Sequence, residues 1–101
     1  MKKSSNGKRM ARKKWVIVFK KSAFKEYKKL PKQYKQKIND VLEILQINPL
    51  SEILNTRKIQ NTKNHYRVRL GHYRIIYFIQ NRQLIIEIIR VGHRQDVYKF
   101  F

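Results

Sequence analysis

The stretch Tyr66-Arg-Val-Arg-Leu-Gly-His-Tyr-Arg-Ile-Ile-Tyr77 leaves this chain little freedom in what it can fold into. Two runs of β-branched, aromatic and arginine residues flank Gly71-His72. A two-residue turn with glycine in its first position is the type II′ turn, whose twist suits a hairpin. That turn fixes a register: Leu70 opposite Tyr73, Arg69 opposite Arg74, Val68 opposite Ile75 and Arg67 opposite Ile76. Opposed residues project to the same side of a sheet. One face then carries Arg67, Arg69, Arg74 and Ile76, and the other carries Tyr66, Val68, Leu70, Tyr73, Ile75 and Tyr77. The second is a core face. On the first, Arg69 and Arg74 oppose one another at a cost of roughly 0.2–1 kcal/mol, and no acidic residue between Ile53 and Glu87 offsets it. Such a face is either the solvated surface of a basic protein or a socket for an external anion. A phosphate is the anion that the planar guanidinium fork suits best.

The remaining composition bears on that choice. Lys and Arg number 25 against 6 Asp and Glu, a formal charge of +19 and a pI near 10.6. This excess calls for an anionic partner, nucleic acid first, and the self-repulsion it brings makes an acidic partner protein useful for control. A length of 101 residues allows one domain with one modest core. The absence of cysteine excludes disulfides, zinc-thiolate sites and thiol nucleophiles. His65, His72 and His93 and the six scattered carboxylates show no metal-ligand spacing, so neither a metal nor a small-molecule cofactor is expected. Near the N-terminus the longest apolar run is Trp15 to Phe19, too short for a signal-peptide core or a membrane span. The expectation is a cytoplasmic protein without membrane contact.

Residues 1–14 hold seven Lys or Arg among Ser, Asn and Gly, the composition of a disordered basic extension, and residues 15–101 read as one folded domain. Trp15 to Phe19 reads as a short buried strand. Ser22 offers a helix N-cap, and Phe24, Tyr27 and Leu30 give a short helix stopped at Leu30-Pro31. Pro31 suits the first position of a second helix, whose apolar stripe is Tyr34, Ile38, Val41, Leu42 and Leu45 and which ends at Asn48-Pro49. From Leu50 to His65 the pattern is weak: a surface loop anchored by Ile53, Leu54 and Ile59, with Arg57, Lys58 and Lys63 available to an RNA backbone. Asn81-Arg82 turns the chain into Leu84 to Val91, an aliphatic strand expected in the sheet interior. Gly92 marks a bend or a close backbone approach that can bring the following polar residues toward the arginine face. Phe78, Phe100 and Phe101 read as packing rather than as platforms for bases.

Several fragments, in this order and spacing, resemble the RelE group of the RelE/ParE toxin superfamily. They are Trp15 to Phe19, Lys21-Ser-Ala, Leu30-Pro-Lys32, Asn48-Pro49, Tyr66-Arg-Val-Arg-Leu70, Tyr73-Arg-Ile-Ile-Tyr77, Val91-Gly-His-Arg94 and Asp96-Val-Tyr98. The resemblance implies an α+β fold, a small antiparallel sheet of about four strands packed by two N-terminal helices. It implies a toxin of a type II toxin–antitoxin system that cleaves mRNA in the ribosomal decoding site, with a cognate antitoxin, expected to be acidic, as its protein partner. Carried over by position, it implies that Arg67, Arg69, Arg74, Arg94 and Tyr98 are catalytic.

Metal-free RNA cleavage requires attack of a ribose 2′-OH on the adjacent phosphorus, stabilisation of charge on the phosphoryl oxygens, and protonation of the departing 5′-oxygen. Fixed cations aimed at the developing charge are the strongest lever, and the arginines fit that role. They cannot accept the proton, because arginine stays charged in proteins. Tyr98 could orient the 2′-OH or stack on a base, and His93 is the candidate proton acceptor. Two other readings share these residues: a ParE-like gyrase inhibitor of the same fold, and a non-enzymatic basic RNA-binding module.

Overall fold

The computed structural model describes residues 14–95 and 97. Along the chain come β1 (Val16–Phe19), α1 (Lys21–Lys28), α2 (Lys32–Ile47), β2 (Arg57–Lys58), β3 (His65–Leu70), β4 (Tyr73–Gln80) and β5 (Ile85–His93). The strands form one sheet in the order β1-β5-β4-β3-β2. β1 runs parallel to β5, and the other pairings are antiparallel.

The α+β architecture with two helices on a sheet is as expected. The sheet itself differs from the antiparallel four-stranded one in two respects. Arg57 and Lys58 pair with Arg67 and Tyr66 and add a fifth strand; two residues carry no periodicity, which is why this segment read as loop. The N-terminal run pairs in parallel with the last strand, a choice set by the path of the whole chain and not by local composition. It is also an edge strand. Ile17 and Phe19 pack on the core while Val16 and Val18 are 55% and 42% exposed, so the expected buried strand is half-buried.

The β3–β4 hairpin takes the register expected from Gly71-His72. Gly71 has φ +64°, and His72 is not among the residues with positive φ. That is the type II′ pattern, which needs the left-handed region at its first central residue alone. The helix ends fall slightly off expectation. α1 is capped by Lys20 with no side-chain bond, two residues before Ser22, and Pro31 is the N-cap of α2 rather than its first residue. Asn48 closes α2 as anticipated: its N–H donates to the Ile44 carbonyl, and its Oδ1 accepts from the Leu50 N–H.

Ile38, Val41 and Leu45 of α2 and Ala23 of α1 meet Val68, Ile75, Tyr77, Ile79, Ile86, Ile88 and Val91 of the sheet. Tyr77 is fully buried, and its hydroxyl donates to the Pro49 carbonyl at 2.6 Å, tying the segment after α2 to the centre of the sheet. Burial, reinforced by the nearby Tyr66 and opposed by a Thr56 hydrogen bond, pushes the Tyr77 hydroxyl pKa well up.

A bulge lies between β4 and β5, where Ile76 pairs with Arg90 but Tyr77 with Ile88. The extra residue, Ile89, lets both Ile88 and Val91 face the core. β5 also outruns β1, whose pairing stops at Ile88. Glu26 of α1 fills the gap. Its carboxylate accepts from the Val91 N–H at 3.0 Å and takes Arg90 in a charged pair at 2.9 Å. No described helix is long and apolar enough to cross a membrane.

Candidate nucleic-acid interface

The helices cover one face of the sheet. The strand registers lay out the other as three rows running across the strands. Nearest the hairpin turn are Arg69, Arg74 and Gly92; next come Arg57, Arg67, Ile76 and Arg90; the third row is His65, Phe78, Glu87 and Val18. Five arginines therefore share this face, and their environments divide them.

Arg74 is only 8% exposed, and its Nη1 donates to the carbonyls of Gly71 at 2.7 Å and Tyr73 at 2.9 Å. It closes the hairpin turn from below. Arg90 is held by Glu26 and also donates from Nη1 to the Val97 carbonyl at 3.4 Å. Arg57 and Arg69 are exposed, and Arg67 is half-buried between them in the layout. The Nη1 of Arg67 is buried and has no hydrogen-bond partner among the described residues. Desolvating a polar group without an acceptor costs about 1–3 kcal/mol, more for a charged one, so Arg67 is a cation that gains most from an incoming anion.

Val97 folds back over this surface. It is fully buried, its N–H donates to the His93 carbonyl, and its Cγ1 lies 3.4 Å from where a Cβ on Gly92 would stand. The neighbour at Gly92 is thus the Val97 side chain at ordinary contact distance, and not the close backbone approach expected from the sequence. Arg94 follows; its N–H donates to the His72 carbonyl at 2.8 Å, which places it beside the hairpin turn with its side chain exposed.

His93 is not on this face. It pairs with Tyr73, whose side chain lies on the helix side, where Tyr34 of α2 packs against it at 4.4 Å. The His93 Nδ1 accepts from the Gln95 N–H. Lys58 opposes Tyr66 and so also belongs to the helix side at the sheet edge, whereas Lys63 is exposed in the β2–β3 loop. Tyr98, residues 1–13, Phe100 and Phe101 lie outside the described residues. Among the described residues no group of three His, Asp or Glu is placed to hold a metal ion.

A family profile described as the ParE toxin of type II toxin–antitoxin systems, parDE, matches residues 11–98. The toxin RelE3 of Methanocaldococcus jannaschii is 32% identical over 87 residues, covering 84% of this chain and 97% of that protein. The chain belongs to the RelE group of the RelE/ParE toxin superfamily. Solved structures of the group share its fold. The archaeal RelE–RelB complex of Pyrococcus horikoshii matches with a TM-score of 0.72 at 27% identity, over 82% of this chain and 98% of that one. The RelB–RelE antitoxin–toxin complex of Methanococcus jannaschii matches with 0.68 at 31%, over 83% and 98%.

In this RelE-group toxin the sequence pattern brings Arg67, Arg69 and Arg74 to one face and leaves His93 on the other. Sequence reasoning overlooked Arg90 with its partner Glu26, which are far apart in the chain. It also set Phe78 down as packing and did not place His65 beside it. Carrying the hairpin alternation one pair past Tyr66 opposite Tyr77 puts these two side by side, and that was the available signal.

Proposed function

We propose that this toxin is an endoribonuclease that cleaves mRNA in the ribosomal decoding site, held in check in the cytoplasm by a cognate acidic antitoxin. The observation that carries the reading is the unpartnered, buried Nη1 of Arg67 with Arg57 and Arg69 as its neighbours on the same face. In the proposed reaction a ribose 2′-oxygen forms a bond to the adjacent phosphorus and the bond to the 5′-oxygen breaks. The 2′-OH gives up its proton, and the departing 5′-oxygen receives one. Arg67 and Arg69 grip the phosphoryl oxygens and stabilise their added charge. Arg74 lends its charge from below while keeping the turn closed, and Arg94 reaches in from beside that turn. Arg57 and Lys63, with Lys58 at the edge, hold flanking backbone phosphates. Tyr98 keeps the role proposed from the sequence, orienting the 2′-OH or stacking on a base, and proton movement falls to a group other than His93, which lies on the helix side.

That RelE proteins of two archaea are solved as complexes with RelB supports an antitoxin partner. A gyrase-directed activity is the second reading, favoured by the ParE description of the matching family. The test sets mRNA cleavage on translating ribosomes beside a gyrase supercoiling assay. Cleavage is expected, and Arg67→Ala should slow it by about 10²–10³, the usual cost of removing one donor to a developing charge. Gyrase inhibition without cleavage would replace the nuclease reading.

A further inference from the structure

The third row of the arginine face differs in chemistry from the other two. His65 and Phe78 are opposed across β3 and β4, their rings 4.8 Å apart and tilted by 43°. Glu87 stands across from Phe78 on the next strand. A phosphate would be repelled by that carboxylate and would find no arginine in the row. A flat, uncharged group would find two partly exposed rings. Each ring also lines a cavity. His65, with Lys20, Ile59, Gln60, Asn61, Thr62 and Ile89, lines one of about 510 Å³. Phe78 and Asn64, with the β4–β5 loop, line another of about 390 Å³. Both fall within the size range of small-molecule sites.

We infer that the His65–Phe78 pair is a nucleobase subsite, which stacks the base next to the phosphate held by Arg67 and Arg69; the inference rests on the RNA-directed reading of that face. The spacing suits it. Residues two apart on a strand lie about 6.8 Å from one another on the same face, so His65 is one such step from Arg67, and Phe78 one step from Ile76. A nucleotide spans that distance between its phosphate and its base. The β2–β3 loop beside the rings is held in place by the Ile59 N–H on the His65 carbonyl and by the Thr62 hydroxyl on the Ile59 carbonyl. It brings the amides of Gln60 and Asn61 to the cavity, groups that can both donate to and accept from a base edge. Burial keeps the His65 pKa below its ordinary value, with Glu87 pulling it back in part. At neutral pH the ring is therefore an uncharged stacking surface. The charge division of the face follows: arginine rows for the backbone, an aromatic row for the base.

The test uses the full-length toxin and a short single-stranded RNA that carries 2-aminopurine beside a 2′-deoxy nucleotide, which blocks cleavage. A matched RNA has an abasic residue in place of the 2-aminopurine. Binding should quench the fluorophore, and the abasic RNA should bind roughly 5- to 150-fold more weakly, the range for loss of one base–aromatic stack. Phe78→Leu should lower affinity for the first RNA by a similar factor and leave the abasic RNA nearly unaffected. Its salt dependence should stay as in the native protein, whereas Arg67→Ala should flatten the log–log slope by about 0.7. Phe78→Trp, which keeps an aromatic face, should retain quenching and guards against reading a folding defect as a lost stack. Equal binding of the two RNAs by the native protein overturns the subsite. So does an equal loss of both RNAs in Phe78→Leu when Phe78→Trp behaves as native. Ribosomal cleavage is measured in parallel. Cleavage without base discrimination removes the subsite and keeps the nuclease, while discrimination without cleavage keeps the subsite and removes the nuclease.

Discussion

Tyr77 and His65 show how burial sets the role of single side chains in this toxin. The Tyr77 hydroxyl sits in the core and gives its proton to the carbonyl of Pro49, itself buried. Tyr77→Phe leaves that carbonyl without a donor, at a cost of about 1–3 kcal/mol. For a domain of this size each kcal/mol lowers Tm by roughly 4–8 °C, and an unchanged Tm would mean that Pro49 finds another donor. His65 acts through pH. Its folded-state pKa is depressed, so just below the ordinary value of 6.5 the unfolded chain binds the proton more readily than the folded one. Its contribution to stability is complete above 6.5 and is lost as pH falls through that value toward the folded pKa. Glu87 faces it and reduces the effect without reversing it. Thermal melts across that window should show native Tm falling more steeply with acid than that of His65→Gln; parallel curves would show that the imidazole is not what titrates. The histidine that the sequence put forward was His93, because an imidazole can take a proton that the arginines cannot. Only the register reveals that His93 faces α2 while His65 faces the arginines.

Among the elements, the β3–β4 hairpin was legible in every pair, since its register depends on two turn residues and on alternation within a dozen positions. Helix α2 was legible for the same local reason: Ile38, Val41 and Leu45, the buried residues, recur at helical spacing. What the sequence withheld was non-local. Parallel pairing of β1 with β5 joins opposite ends of the chain, and β2 is strand only because Arg67 and Tyr66 lie beside it. The attachment of α1 belongs to this class. Glu26 reaches a stretch of β5 that β1 is too short to cover, and it satisfies Val91 and Arg90 together. The pair is 29% and 18% exposed, so breaking it should cost about 1–3 kcal/mol, below the 3–5 kcal/mol of a fully buried pair. Glu26→Gln should therefore lower Tm. It also releases the Arg90 guanidinium on the arginine face, so the same variant should bind single-stranded RNA more tightly and steepen the log–log salt slope by about 0.7. Lower stability with unchanged RNA binding would mean that Arg90 is a structural cation and no part of the interface.

At the scale of the whole molecule the governing quantity is the charge of +19. Five arginines on one face, with Glu26 the one carboxylate paired to any of them among the described residues, concentrate it where the sheet is not covered by helices. Like charges at that density oppose the compact state. Screening shortens from a Debye length of about 10 Å at 0.1 M salt to about 3 Å at 1 M. The free toxin should thus become more stable as sodium chloride rises, while its grip on RNA weakens over the same range. A bound antitoxin stabilises the toxin by mass action, by about 2.7 kcal/mol at a free concentration one hundred times its Kd. If the antitoxin is acidic and covers the arginine face, it relieves the same repulsion that salt relieves, so the two effects cannot add in full. The rise in Tm on adding antitoxin should be largest at low salt and shrink toward 1 M. A rise of the same size at every salt concentration would place the antitoxin on an apolar part of the surface, and would leave the arginine face open to RNA in the complex.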